Sequence, residues 1–367
     1  MHRPLIHFLV SSPGGDIQAD RKKWHLPLDK DPAKISYCQY FHAIEDFLSY
    51  DNFGAFLESI NQKEKQRISI ETIKAIVIRS EKHGTLYHPA SIEVFLNTGS
   101  RKFGLNVATT ETGMQWLKEE FSVLRLLSEK YRLPYLPYAY RFQKRNRMAF
   151  LLEDWFEGYH EFHLSQKNDG RQILQLWEFG SGYRDLTPEQ AYEIYRQSSL
   201  IMTLYYDISD YSQIYPWHHG GGDFIAHVDQ EGISVRLTTA RGYNPLMIFQ
   251  DTANGNPSVA LAYFFLNLTL KMSLDRLDGV GEVTWADNRY VPATVTGFFD
   301  GLQLKEDYQS RGHDMLSVMR SFSVDEMKHI FSPLIKMYEG TDDHAVIVKN
   351  LDRHAEILTA TLQNYLR

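Results

Sequence analysis

The chain carries a single cysteine, Cys38, which excludes an internal disulfide and any zinc site built on cysteines. The expectation for it is a buried structural thiol. No window holds the roughly 18 to 20 apolar residues that a membrane span requires. The opening Met1-His-Arg-Pro-Leu-Ile-His-Phe-Leu-Val10 has too short an apolar run for a signal peptide, and Pro13-Gly-Gly15 interrupts it at once. A basic face is also lacking. The net charge is -7 and lysines and arginines are scattered, which argues against a nucleic-acid footprint. The densest basic run, Arg141 to Arg147, reads as a hairpin turn rather than a phosphate patch. From these absences a cytoplasmic protein with no nucleic-acid and no membrane partner is expected.

What is present is ample core material, with 43% hydrophobic and 13% aromatic residues. A length of 367 residues exceeds what one hydrophobic core usually serves, so two domains or lobes are expected. Residues 1–68 contain no repeat. Ser11 to Asp31 is loop-like, and Ile35 to Ile60 spaces Phe41, Ile44, Phe47 and Leu48 as one or two helices would. We expect these residues to form an extension on the first lobe.

From Ile70 the apolar period shortens to that of strands. Ile73 to Arg79 and Ser91 to Leu96 are strand-like, joined through Lys82-His-Gly-Thr85, and Lys102 to Ala108 supplies a third strand. Thr112 with Gln115 marks a helix start, and the helix places Met114, Leu117, Phe121, Leu124 and Leu127 on one face. Ala139 to Gln143 and Arg147 to Trp155 make two further strands. The nearby Tyr131, Tyr135, Tyr138 and Tyr140 read as packing residues. Beyond Phe156 the composition turns helical. Thr187-Pro-Glu-Gln190 opens a long amphipathic helix, and others are expected at about Ser258 to Leu277, Pro292 to Leu302, Ser323 to Tyr338 and Asp342 to Leu366.

Chemistry concentrates in Tyr215-Pro-Trp-His-His-Gly-Gly-Gly-Asp-Phe-Ile-Ala-His-Val228. It is followed by Asp229-Gln-Glu-Gly232 and a second β-branched run, the pattern of a loop feeding a hairpin. His218 and His219 are candidates for proton transfer or metal binding, against loop histidines bonded to backbone. Asp223 is a candidate base or metal ligand, against a turn cap. The three glycines suit either close approach of an anion to backbone N–H groups or a tight turn. Arg241 suits either a bidentate clamp on a phosphate or carboxylate or a structural ion pair. His160 and His163, with Glu161 between them, could line a ligand site or serve as a connector.

Three strands, a helix, two strands, a connector and a helical lobe interrupted by a hairpin resemble the protein-kinase-like fold, especially its aminoglycoside and choline phosphotransferase branch, over about residues 70 to 340. The resemblance implies an α+β, two-lobed fold. It would have a small antiparallel-sheet N-lobe over 69–156, a larger helical C-lobe over 157–367, and the 1–68 extension. It implies ATP or another nucleotide as ligand, with Mg²⁺. The phosphate-holding lysine of that fold falls on Asn106, and the helix glutamate that would pair with it falls on Glu120. Leu151 to Gly158, with Glu153 and Trp155, resembles the last strand and the hinge facing an adenine ring. Gly84 is the only glycine between Ile73 and Leu96, where a phosphate-covering turn would be glycine-rich.

Aligned on the strand start, the catalytic loop makes Asp223 the metal ligand and His218 the base. Aligned on the Gly-Asp pair, Asp223 is the base and Val228 stands where a metal-binding Asn belongs. The metal-binding Asp of the next motif falls on Thr239, a poor ligand for a hard cation. Because phosphoryl transfer depends on positioning and charge neutralisation, these changes imply an atypical or inactive kinase-like protein that binds a nucleotide or small ligand in an interlobe cleft. The rival readings are a working small-molecule phosphotransferase with His218 or Asp223 as base, a scaffold for a protein partner, and a hydrolase with the His218, His219 and Asp223 cluster on a metal.

Overall fold

Alternation of apolar and polar residues from Ile73 onward is realised as strands, and the apolar stripe of Glu111–Tyr131 as a helix against them. The computed structural model describes residues 3–12, 14–81, 84, 86–246 and 256–365. Of the expected 82–85 connection, Lys82, His83 and Thr85 lie outside the described residues, as does Leu366 of the last helix. The chain divides into two units, residues 1–157 with 179–181, and residues 158–178 with 182–367. Both mix helix and strand, and among the described residues strand pairing is antiparallel with one parallel exception.

The first unit contains β1 (Leu5–Val10), β2 (Ile17–Gln18), α1 (Tyr37–Ser49), α2 (Gly54–Glu64), β3 (Ile73–Ser80), β4 (His88–Leu96), β5 (Gly99–Ala108), α3 (Glu111–Tyr131), β6 (Ala139–Arg145) and β7 (Met148–Asp154). The strands form one sheet in the order β2-β1-β3-β4-β5-β7-β6. Residues 1–68 are therefore not only an outer layer, since β1 pairs parallel to β3 within the sheet. Ser36 caps α1 in a reciprocal box with Gln39. Tyr40, Phe41, Ile44 and Phe47 of α1 and Phe56 and Ile60 of α2 share a core with Ile76, Ile78, Ile92, Val94, Phe103, Leu105 and Val107 of the sheet. Successive strand residues point to opposite faces, so Lys102, Gly104 and Asn106 occupy the other face of β5. The α3 helix starts earlier than expected. Thr110 caps it, its hydroxyl accepting from the Gly113 N–H, because β5 ends at Ala108 and the chain turns there. Asn146 and Arg147, at φ 51° and 62°, make the expected hairpin turn between β6 and β7.

In the second unit the sequence expectation needs a correction. Residues expected to begin a helical lobe form strands β8 (His160–Gln166), β9 (Gln172–Glu178) and β10 (Gly182–Asp185). Phe162, Leu164, Leu174 and Leu176 are buried while the residues on either side of each are only partly so, a period of two that the mixed side chains between them, Ile173 and Trp177 among them, obscure in the sequence. Then come α4 (Pro188–Leu204), β11 (Ser212–Ile214), the short turn α5 (Gly220–Asp223), β12 (Phe224–Val228), β13 (Ile233–Leu237) and β14 (Tyr243–Pro245). After these lie α6 (Pro257–Met272), β15 (Leu274–Arg276), β16 (Val283–Trp285), α7 (Val291–Gln303), α8 (Gln309–Arg320), α9 (Val324–Met337) and α10 (Asp342–Asn364). The expected hairpin is β12–β13, which joins β8 in a sheet ordered β10-β9-β8-β12-β13. Capping boxes at Thr187 and Ser323 start α4 and α9 as the sequence indicates. Helix α6 is apolar almost all round and buried along its length from Phe264 to Met272. Gly297 and Gly301 of α7 let that helix approach α4, where a Cβ on Gly301 would stand 2.8 Å from Cβ of Thr203.

Candidate functional site

Asp223 closes α5 one residue before β12 begins, so an extended chain leaves directly from it. It is 2% exposed. Its Oδ1 and Oδ2 each accept a bond from the Arg241 guanidinium at 3.0 Å, and Oδ2 also accepts the His218 backbone N–H at 2.6 Å. The Asp223 carbonyl accepts the N–H and hydroxyl of Thr238, both at 2.9 Å. Burial alone would raise its carboxyl, but Arg241 and His218 outweigh burial and hold it well below the usual carboxylate range. Arg241 thus takes the ion-pair role of the two weighed for it. Thr239 is buried.

The two adjacent histidines part company. The His218 ring is 58% exposed, with Nδ1 3.5 Å from Asp223 Oδ1. The His219 ring is buried, with Nε2 3.0 Å from Oδ1 of Asp343 at the start of α10, and Asp343 Oδ2 also accepts from Lys271 of α6 at 3.1 Å. These partners overcome the burial of Asp343 and hold it down to about 2. None of Gly220, Gly221 and Gly222 takes a left-handed conformation. A Cβ at Gly221 would stand 2.6 Å from the Phe162 carbonyl oxygen and 2.7 Å from Asp275 Oδ2, so close packing against β8 and β15 explains that glycine.

Asp275, buried, accepts the Leu164 N–H at 2.7 Å and faces His163 Nδ1 at 3.3 Å, while Glu161 lies 3.8 Å from His163 Nε2. Burial disfavours the His163 cation, but the two carboxylates prevail and raise it to about 9. Asp343, Lys271 and Asp275 escaped the sequence reading. They lie 124, 72 and 112 residues from the groups they meet, and no local motif links them.

The expected site residues divide between the units, with Asn106, Glu120, Glu153 and Trp155 in the first. Asn106 Nδ2 donates to Glu153 Oε1 at 2.9 Å. Glu153 and Glu120 are 7% and 1% exposed. Burial, then the nearby Glu120 carboxylate, pushes Glu153 well above its ordinary value. Lys102, on the same strand as Asn106, places its ammonium 4.4 Å from the centre of the Trp155 ring. Tyr138 and Tyr140 stack edge-on at 5.0 Å, and Tyr140 donates to Asp154 at 2.7 Å, the packing role expected of them. Cys38 is half-buried rather than buried, its Sγ 3.4 Å from His42 Nδ1 one helical turn on.

Mg²⁺ needs carboxylate oxygens that are free to coordinate it. Both oxygens of Asp223 are already bonded, and Thr239 offers only a hydroxyl, so the residues that the resemblance assigns to the cation do not fit it. The phosphates of a nucleotide fit Asn106 no better, because its amide is bonded to Glu153 beside a second carboxylate. Among the described residues no group of three or more His, Cys, Asp or Glu side chains is arranged to hold a metal ion.

No family model matches the chain. A stretch of 120 residues is 26% identical to the sodium-dependent nutrient amino acid transporter 1 of Drosophila persimilis, covering 30% of this chain and 18% of the transporter. The chain thus spans less than a fifth of the length of that protein. Among the described residues no helix is long and apolar enough to cross a membrane.

Proposed function

We propose that this chain is a kinase-like protein without phosphoryl-transfer activity, which binds a nucleotide or another small ligand independently of a divalent cation and without phosphate contacts at Asn106. Support for the kinase-like part comes from the antiparallel run β3-β4-β5-β7-β6, the helix α3 inserted between β5 and β6, and a buried glutamate, Glu120, on that helix. In the second unit it comes from the β12–β13 hairpin led by Asp223.

The observation that carries the loss of catalysis is the bidentate Arg241–Asp223 pair. A guanidinium already neutralises the carboxylate that would hold a metal. Moving it away would leave a charge buried and unpaired, at a cost of several kcal/mol. Phosphoryl transfer draws its rate from charge neutralisation around the transferred group, so a site without the lysine and without metal-binding carboxylates lacks the means.

The test is thermal unfolding of the full chain with ATP, ADP and adenosine, each with and without Mg²⁺, alongside an assay for release or transfer of the γ-phosphate. The expected result is a rise in melting temperature that is the same with and without the metal, and no turnover. Turnover that needs Mg²⁺ and disappears in His218→Asn would shift the reading to a working phosphotransferase. In that case His218, the exposed ring facing Asp223, is the base. No response to any nucleotide would favour a scaffold for a protein partner.

A further inference from the structure

His227 lies on β12, and each of its ring nitrogens faces an acceptor. Nδ1 is 2.7 Å from the Gly158 carbonyl oxygen, and Nε2 is 2.8 Å from Asp229 Oδ2. A carbonyl and a carboxylate can only accept, whereas a neutral imidazole carries a single N–H. Both bonds therefore exist together only in the imidazolium form. Gly158 stands two residues before β8, and Asp229 begins the turn between β12 and β13. The same Asp229 also shapes that turn, its Oδ1 accepting the N–H groups of Glu231 and Gly232 at 2.8 and 3.0 Å. Gly158 sits at φ +76°, and a Cβ there would be 3.2 Å from Nδ1, so the close approach depends on glycine.

We propose that His227 is a pH-operated fastener: charged, it ties the start of β8 to the β12–β13 turn, and neutral, it must release one of the two. This goes beyond the kinase-like reading and does not rest on it. Among the described residues the groups near the ring are Asp229 and Glu231 on the turn, His160 of β8 and the Tyr159 ring just before it. Arg236 of β13 acts on Tyr159, and Arg184 of β10 on His160. Tyr159 is 5.6 Å away centre to centre, and the Arg236 guanidinium lies 5.1 Å from the Tyr159 centroid. Arg184 is occupied with the Val228 carbonyl at 3.1 Å and Glu178 at 2.9 Å. The bond to Gly158, then that to Asp229, raises His227 above an ordinary imidazole, while His160 is lowered by burial. The fastener is thus closed below neutrality and opens as pH rises past the ordinary histidine value. Its ring is 40% exposed, so protons exchange without unfolding.

Long-range proton–nitrogen NMR on the labelled full chain, with amide exchange read in parallel, tests this. At about pH 6 both ring nitrogens should carry protons. By about pH 9, after correction for intrinsic exchange, either the amides of residues 159–161 or those of Glu231 and Gly232 should lose about tenfold in protection. His227→Gln should abolish that pH dependence, and Asp229→Asn should move its midpoint to lower pH. A His227 ring that is neutral at pH 6, or a pH dependence identical in wild type and His227→Gln, overturns the proposal.

Discussion

Replacing His354 with phenylalanine should blunt the response of the fold to mild acid. His354 lies on α10 with no exposed surface, edge-on to Trp285 at 5.4 Å and beside Phe331 at 5.6 Å. Its Nε2 meets the Thr269 hydroxyl at 3.0 Å, and its Nδ1 has no hydrogen-bond partner among the described residues. Burial pushes the imidazole down from 6.5 to about 3. A base with a lowered pKa takes up its proton more readily in the unfolded chain. Its effect on stability is therefore nil above pH 6.5 and grows as pH falls below it, by about 1.4 kcal/mol per unit. Between about pH 7.5 and pH 5 this amounts to about 2 kcal/mol. Phenylalanine keeps the ring contacts, and Thr269 is not orphaned because its hydroxyl also donates to the Leu266 carbonyl at 2.8 Å. Urea unfolding of wild type and His354→Phe at the two pH values should show the difference in stability moving by about 2 kcal/mol in favour of the variant. Curves that stay parallel across this range would refute the reasoning, since they would mean that the ring titrates alike in both states.

Other substitutions follow from the same structure. Arg241→Met should cost about 3–5 kcal/mol by leaving Asp223 charged and unpaired, and adding Asp223→Asn should recover much of it in denaturant titrations. His163, raised to about 9, contributes stability that is full below pH 6.5 and fades as pH rises toward 9. His163→Gln should therefore lose about 3 kcal/mol at pH 6 but little at pH 9.5, as melting temperatures at the two pH values would report. Gly297→Ala would drive a methyl into the Arg196 carbonyl oxygen of α4 and should destabilise by about 1–3 kcal/mol. Ser323→Ala, which removes the cap of α9, should cost about 1 kcal/mol, read as a lower urea midpoint.

Legibility in the sequence tracks the range of the interaction. The boxes at Thr187/Gln190 and Ser323/Glu326 are satisfied within three residues, so a short window contains all of their chemistry. The hairpin after Asp223 was equally plain, because turn-formers between two β-branched runs need nothing else. Strands β8 and β9 were missed. Their outward positions carry histidine, glutamine and tryptophan, and the buried leucines alone do not distinguish a strand from one turn of helix. Strand β1 was missed because its place in the sheet depends on β3, more than sixty residues away.

The histidine pair shows where local sequence stops deciding. Composition and turn chemistry determined that His218, His219 and Asp223 share one loop ahead of a hairpin. Residue 219 is extended, at φ −133° and ψ 173°, so the two rings leave the chain in opposite directions. Which direction is the interior was decided by α6 and α10, which bring Lys271 and Asp343 to the His219 side and leave His218 in solvent. Arg241, likewise, could serve a ligand or an ion pair as far as the sequence goes. The folded chain committed it to Asp223, because a carboxylate buried at that point is stable only with a cation against it.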